Sequence, residues 1–261
     1  PVFLLAGLRF GMAAVLMLPW LKKPADEAPL DARSRVLLFL ESFLGNFLFS
    51  ICMLYGLRQS SAVVAGVILA GIPAAVALLS RVVLGERLHG RALAGIACAV
   101  AGVALVATGK QGGAQTTEVG AALLVAAVFC EACYVVIGKK LTAGLGPKRI
   151  SALINLWGLA LVTPLAAWQA LSFDFSSPRL ADWGLLLYYA ATASVITVWL
   201  WMAGLKRLPA AQAGVFMVFL PISTALVGLL LGETVSAAQA LAYGLALAGL
   251  LLATWPGKAG G

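Results

Sequence analysis

Two stretches of this chain repeat one another. From Gly56 to Gly102 it reads GLRQSSAVVAGVILAGIPAAVALLSRVVLGERLHGRALAGIACAVAG, and from Gly204 to Gly249 it reads GLKRLPAAQAGVFMVFLPISTALVGLLLGETVSAAQALAYGLALAG. Each copy opens on a Gly-Leu-basic triplet (Gly56, Leu57, Arg58; Gly204, Leu205, Lys206) and carries a proline seventeen residues after the glycine, Pro73 or Pro221. A Gly-Glu pair follows, Gly85-Glu86 or Gly232-Glu233, and another glycine stands sixteen residues past each glutamate. The offset is 148 residues up to the prolines and 147 at the glutamates, the second copy being one residue shorter between them. A period this long in a chain this apolar is the mark of a duplicated membrane half.

Hydrophobic residues make up 62% of the chain, charged residues 11%, and the mean hydropathy is +1.01, against about 45–50% and about 25% in soluble domains. So few charges cannot clothe a water-soluble body of 261 residues, and the expected solvent is a bilayer. The net charge of +8 does not point to nucleic acid, because the basic residues are scattered through short loops with no basic face or stripe. The four cysteines, Cys52, Cys98, Cys130 and Cys133, all lie in apolar runs, where a reduced thiol behaves as a small hydrophobe.

Nine apolar runs are long enough for membrane crossings at a rise of about 1.5 Å per residue. Their limits are Val2–Leu21, Val36–Leu57, Ser61–Leu84, Ala92–Thr108, Val119–Gly138, Ile150–Leu171, Trp183–Leu205, Ala210–Leu231 and Ala237–Thr254. The first is not read as a signal peptide, since it contains Arg9 and lacks a basic leader and a cleavage site. Nine crossings sort the loops into two classes, one holding fourteen Lys and Arg and the other only Arg58, Lys110 and Arg179. By the positive-inside rule the C-terminus is expected in the cytoplasm of a bacterial inner-membrane protein. Arg58 then lies outside and its counterpart Lys206 inside, so the two copies cross in opposite senses and each repeat holds an odd number of helices. The run Val119–Gly138 has no partner in the first half. The expected fold is therefore all-α and polytopic, with inverted five-helix repeats and nine of ten transmembrane helices present. Residues 1–109 would form the first repeat, less its first helix, and residues 118–255 the second.

This duplicated plan, the basic residue in the first run (LAGLRF), the mid-helix prolines and the LGE endings resemble the EamA-type branch of the drug/metabolite transporter superfamily. The resemblance covers essentially the whole chain, and its motifs mark the superfamily far better than any substrate. It implies a secondary transporter, in the exporting direction, of small metabolites, amino acids or drugs.

An ionisable group at mid-membrane costs about 2.5–3.5 kcal/mol on insertion scales and calls for a reason. Three of the charged residues qualify: Arg9, Glu41 and Glu131. Glu131 is the deepest and shares a helical stripe with Ala127, Tyr134 and Gly138. It is either a proton carrier or a structural acid bonded to a neighbouring helix. Arg9 suits a substrate carboxylate or a buried partner such as Glu131. Glu41, about five residues from the cytoplasmic end of its run, either serves the transport path or simply reaches water. Polar and aromatic candidates for the cavity wall are Asn46, Tyr55, Asn155, Trp157, Tyr188, Trp199 and Gln212, with Tyr134 beside the acid. Pro73 and Pro221, about mid-depth, are candidates for paired helix bends, since a proline cannot donate and crowds the carbonyl four residues back. Glu86 and Glu233 follow a helix-ending glycine, where a carboxylate can meet exposed amides. Gly7 and Gly11 form one GxxxG, and the run from Ala92 is mostly small residues, as close helix packing requires.

Nothing suggests an enzyme. The chain has no GxxxxGK[ST] loop, and His89 stands alone in a short turn between arginines. Cys130 and Cys133 form a CxxC without a second pair, so no metal or cofactor is expected. The partners expected are a small-molecule substrate, the lipid bilayer and protons as coupling ion. An uncoupled facilitative exchanger or pore is the alternative, and a membrane-embedded lipid-modifying enzyme a third.

Overall fold

The computed structural model describes residues 1–23, 27, 29–60, 62–108, 117–230 and 237–254. Among them the chain is helical throughout, because in lipid each backbone amide must find its carbonyl within the segment. The helices are α1 (Val2–Leu16), α2 (Ala32–Ser42), α3 (Phe49–Arg58), α4 (Ala62–Leu69), α5 (Ile72–Val83), α6 (Gly90–Thr108) and α7 (Glu118–Leu141). They continue as α8 (Pro147–Ala170), α9 (Leu180–Tyr189), α10 (Thr197–Arg207), α11 (Ala210–Val215), α12 (Phe219–Leu230) and α13 (Ala237–Thr254). Each of the nine apolar runs lands on one helix or a short series of helices. Five stretches are long and apolar enough to cross a bilayer: Ala32–Arg58, Val64–Val83, Glu118–Leu141, Pro147–Ala170 and Leu180–Arg207. Large apolar side chains such as Val82, Trp168, Leu180 and Leu230 stand exposed, as a lipid-facing surface demands.

The irregularities within the runs are informative. A wide π-helical turn, Phe43–Leu48, joins α2 to α3, and another, Ala190–Ile196, joins α9 to α10. The two begin 147 and end 148 positions apart, within one residue of the 148-residue offset of this part of the repeat, so the duplication extends to a helix defect invisible in composition. Pro73 does not bend a continuous helix, as expected from sequence. The helix stops at Leu69, and Pro73 occupies the first turn of α5, where a missing N–H costs nothing. In the second copy a tighter 3-10 turn, Phe216–Val218, stands just ahead of α12, whose first turn holds Pro221.

The described chain groups into two compact units that do not follow the sequence halves. Unit 1 is Pro1–Phe47 with Ile137–Arg207, and unit 2 is Leu48–Val136 with Leu208–Gly261. Within unit 1, α8 packs against α1, α2 and α10. Within unit 2, α6 packs against α13 and α4, and α11 against α5. Each unit thus combines helices from both repeats.

The closest seam of unit 2 is α6 against α13. A Cβ on Gly95 would lie 2.6 Å from the Gly249 carbonyl oxygen and the Ala253 nitrogen, and one on Gly249 would lie 2.6 Å from the Ala99 nitrogen and the Gly95 oxygen. On Gly102 it would meet the Ala242 oxygen and Ala246 nitrogen at 2.7 Å. Gly95, Ala99 and Gly102 therefore interlock with Ala242, Ala246, Gly249 and Ala253, a small-residue stripe repeating at helical spacing. Backbone contact this close is the source of cohesion, because lipid removes the hydrophobic drive between helices. In unit 1, Gly7 behaves the same way, its Cβ position 2.6 Å from that of Ala166, whereas Gly11 has nothing within 4 Å. Only half of that GxxxG closes a seam.

Gly85 ends α5 in the left-handed region at φ +68°, a conformation only glycine adopts freely. The turn brings Glu86 to the start of α11, where its carboxylate accepts from the Ala210 and Ala211 amides at 2.7 and 3.1 Å. The structural role expected of this residue is what the geometry shows, and Glu233 lies outside the described residues. Gly249→Val is expected to destabilise the protein by about 1–3 kcal/mol, while Gly244→Val, at a position with nothing within 4 Å, leaves the detergent melting midpoint nearly unchanged. Glu86→Ala strips two amides of their acceptor and is expected to cost about 1–2 kcal/mol, with Glu86→Gln losing less, by the same melting measurement.

Candidate functional site

The site is built on the way α1 is fastened to α8 inside unit 1. At its first turn, the Phe3 and Leu4 amides, which have no partner within their own helix, donate to Gln169 Oε1 at 3.0 Å. One turn on, Gly7 lets the helices meet at Ala166. Farther along, Asn155 Nδ2 donates to the Phe10 carbonyl at 3.0 Å, and the Phe10 ring packs against Gly158. Arg9, next to this fastening, rests its guanidinium over the Phe10 ring at 4.5 Å and the Tyr189 ring at 5.3 Å. Ring faces compensate part of the lost hydration of a cation.

Beside Arg9 is a cavity of ≈ 80 Å³ whose polar lining is Arg9, Asn46, Ser151, Asn155 and Ser194. Asn46 and Ser194 come from the two π-helical turns, a recurrent use of such turns at functional sites. Asn46 Nδ2 donates to Ser42 Oγ at 3.3 Å, and Ser42 Oγ to the Ile154 carbonyl at 2.8 Å. Ser151 Oγ is engaged by the Pro147 carbonyl at 2.9 Å. Asn155 and Ser194 are each only 3% exposed, and Asn155 Oδ1 and Ser194 Oγ have no hydrogen-bond partner among the described residues.

Three sequence candidates, Arg9, Asn46 and Asn155, are thus brought together. Ser151 and Ser194 were missed, because a lone serine in an apolar run is ordinary and the π-helical turn that turns Ser194 inward leaves no compositional trace. The aromatic candidates of unit 1 line a different surface. Trp157 is 41% exposed and packs edge-on against Phe39 at 5.2 Å, and Tyr188 is 66% exposed. Trp199 stands 6.0 Å from Trp20, with Lys148 Nζ over both rings at 5.4 and 5.7 Å. One residue on, Arg149 pairs with Glu27 at 3.0 Å. These contacts tie the first turn of α8, one turn before Ser151, to the segment following α1.

Glu41 does not reach water. It is fully buried in α2, and its Oε1 lies 2.8 Å from where a Gly138 Cβ would stand, so the absence of a side chain at Gly138 makes the space for the carboxylate. In unit 2, Glu131 sits midway along α7, partly buried, beside buried Cys130 and Ala132. Tyr134 lies on the same helix and is partly buried, as is Gln212 in α11. Tyr55 is 42% exposed, with Arg58 over its ring at 5.8 Å.

The profile of the EamA-like transporter family matches residues 1–108 and 118–255. The chain is 36% identical over 238 residues to the "Uncharacterized transporter YetK" of Bacillus subtilis, an alignment covering 89% of this chain and 72% of that protein. It is 26% identical over 262 residues to a "Probable amino-acid metabolite efflux pump" of Escherichia coli, covering 97% of this chain and 85% of that one. A solved crystal structure matches it in fold with a TM-score of 0.76 at 21% identity, covering 97% of this chain and 87% of the other. Charge exchange across the Glu27–Arg149 pair tests the anchoring of α8: Glu27→Gln and Arg149→Gln are each expected to lower the melting midpoint. The double variant should lose less than the sum, with a coupling of about 0.5–3 kcal/mol.

Proposed function

The chain belongs to the EamA-like transporter family, and from that premise we propose that it is a secondary exporter of small metabolites working by alternating access. It is a multi-pass membrane transporter of small molecules, not an enzyme. The observation that carries the finer reading is the polar cavity beside Arg9, set inside a body whose outer surface is apolar. A cation within a span is by default the mark of a transport path, and here it stands among four polar side chains. The efflux-pump names of two relatives, from Escherichia coli and Salmonella typhimurium, favour the exporting direction and place amino-acid metabolites among the substrates to test.

The mechanism proposed differs in one respect from a rocking of repeat against repeat. In unit 1, α1 from the first half is held to α8 from the second by Gln169, Asn155 and the Gly7–Ala166 contact. Sliding one half past the other would break all three. The cohesive bodies are the interleaved units, and we assign each the role of a body that moves as a whole. The inverted duplication supplies the two-fold exchange between inward and outward forms, in an inner membrane with the C-terminus cytoplasmic.

Protons are proposed as the coupling ion, with Glu131 as carrier: among the described residues of unit 2 it is the acid at the middle of a span, and it shares a stripe with Ala127, Tyr134 and Gly138. Uncoupled exchange is the second reading. A comparison of the metabolites released by cells with and without the full-length gene names the substrate. Its accumulation in inverted vesicles under an imposed pH gradient then tests coupling. Glu131→Gln is expected to abolish the gradient dependence while leaving counterflow; unchanged dependence eliminates Glu131 as the carrier.

A further inference from the structure

The lining of the cavity beside Arg9 specifies the chemistry of what it takes. A guanidinium donates only, so the ligand must offer an acceptor there, and an always-charged group in this setting calls for an anion. Asn155 imposes the opposite demand. Its Nδ2 must face the Phe10 carbonyl, because the amide oxygen could not donate to it. Oδ1 is thereby the atom left buried and, among the described residues, without a partner, as is Ser194 Oγ. A buried acceptor left unmet bears the full cost of its lost hydration, which a ligand donor would recover. At ≈ 80 Å³, the space is that of two or three waters at about 30 Å³ each, far below the roughly 300–1,000 Å³ of a whole drug-sized site. It admits a head group.

The charge of that donor is also constrained. Among the described residues Arg9 is the only charged one lining the cavity, and Glu41 packs against Gly138 instead. One carboxylate neutralises one guanidinium. A second cation, such as an ammonium, would leave a net positive charge among neutral acceptors in a poorly solvated space. A hydroxyl makes the same hydrogen bond without that penalty.

We propose that the cavity formed by Arg9, Asn155 and Ser194 is a head-group subsite for a carboxylate bearing a neutral donor on the neighbouring carbon, a 2-hydroxy acid, in preference to a plain carboxylate or a zwitterionic 2-amino acid. Arg9 holds the carboxylate, Asn155 Oδ1 accepts from the hydroxyl, and Ser194 Oγ accepts from it or donates to a carboxylate oxygen. The subsite rests on the transport reading for its purpose but not for its chemistry.

The test is ligand-dependent melting of the purified full-length protein in detergent, titrated with lactate, propionate, alanine and inorganic phosphate, the concentration dependence of the midpoint giving each apparent affinity. Lactate is expected to bind roughly tenfold more tightly than propionate, and alanine and phosphate more weakly than lactate. Ser194→Ala, a small change inside one helix, should narrow the lactate-to-propionate ratio severalfold while the unliganded midpoint stays close to that of the parent. Arg9→Gln should remove the response to both acids. Equal affinity for lactate and propionate, preference for alanine or phosphate, or no response to any probe overturns the proposal. The outcomes separate it from the transport reading. If lactate binds as expected while gene deletion changes no metabolite's release, transport fails and the subsite stands. If release changes but lactate gains nothing over propionate, the subsite alone falls.

Discussion

Helices in lipid gain nothing by hiding leucine from a solvent as apolar as themselves, and that constraint governs the rest of this structure. Cohesion must come from backbones brought close enough for dispersion and dipole contacts to accumulate. The α6–α13 seam meets this demand, with Gly95, Gly102 and Gly249 each closing on carbonyl oxygens or amide nitrogens of the opposite helix. Unit 1 uses the same device once, at Gly7 and Ala166, and relies otherwise on side-chain hydrogen bonds to backbone atoms. Gln169, Asn155 and Ser42 each reach across to a neighbouring helix. The two units are thus held by different means, one by small residues and the other by buried amides and hydroxyls.

That difference bears on function. A seam of glycine and alanine leaves no space for a solute, whereas helices spaced by Asn, Ser and Arg side chains leave polar gaps. The cavity beside Arg9 is such a gap, and its wall includes the residue, Asn155, that fastens α1 to α8. Under the subsite proposed above, structure and recognition would share one side chain there: its Nδ2 is committed to the fold, and its Oδ1 has no hydrogen-bond partner among the described residues.

Much of the fold was legible in the sequence because its strongest signals are long apolar runs and a duplication. All nine runs became helices with ends close to those expected, and the carboxylate of Glu86 meets helix-start amides, though those of α11 and not of the helix that follows it in sequence. What escaped were features set by tertiary context. The break before Pro73 replaces an expected bend, because a helix can stop and restart at a proline more cheaply than it can curve around one. For Glu41, counting residues from the end of its run leaves two readings, a place on the transport path or access to water, and the second fails because the side chain is fully buried. Depth along a helix says nothing of which face a side chain occupies, and this one faces Gly138. The aromatic candidates Trp157 and Tyr188 turned outward for the same reason, while Ser194 turned inward with no polarity around it to announce the fact. The grouping of α1 with α8, across the boundary between halves, cannot be read from a repeat, since duplication fixes likeness and not adjacency.

A π-helical turn holds one residue more than the α-helix around it. Each residue turns an α-helix by about 100°, so the extra one decides which side chains beyond it look inward. In Phe43–Leu48 and Ala190–Ile196 this surplus is present in both copies of the ancestral segment. Loss of a single codon from either would reset the azimuth of the half-helix that follows. The polar lining that Asn46 and Ser194 give the cavity can therefore be remodelled by indels as well as by substitution, and relatives that differ in length by one residue at these turns are expected to differ in that lining.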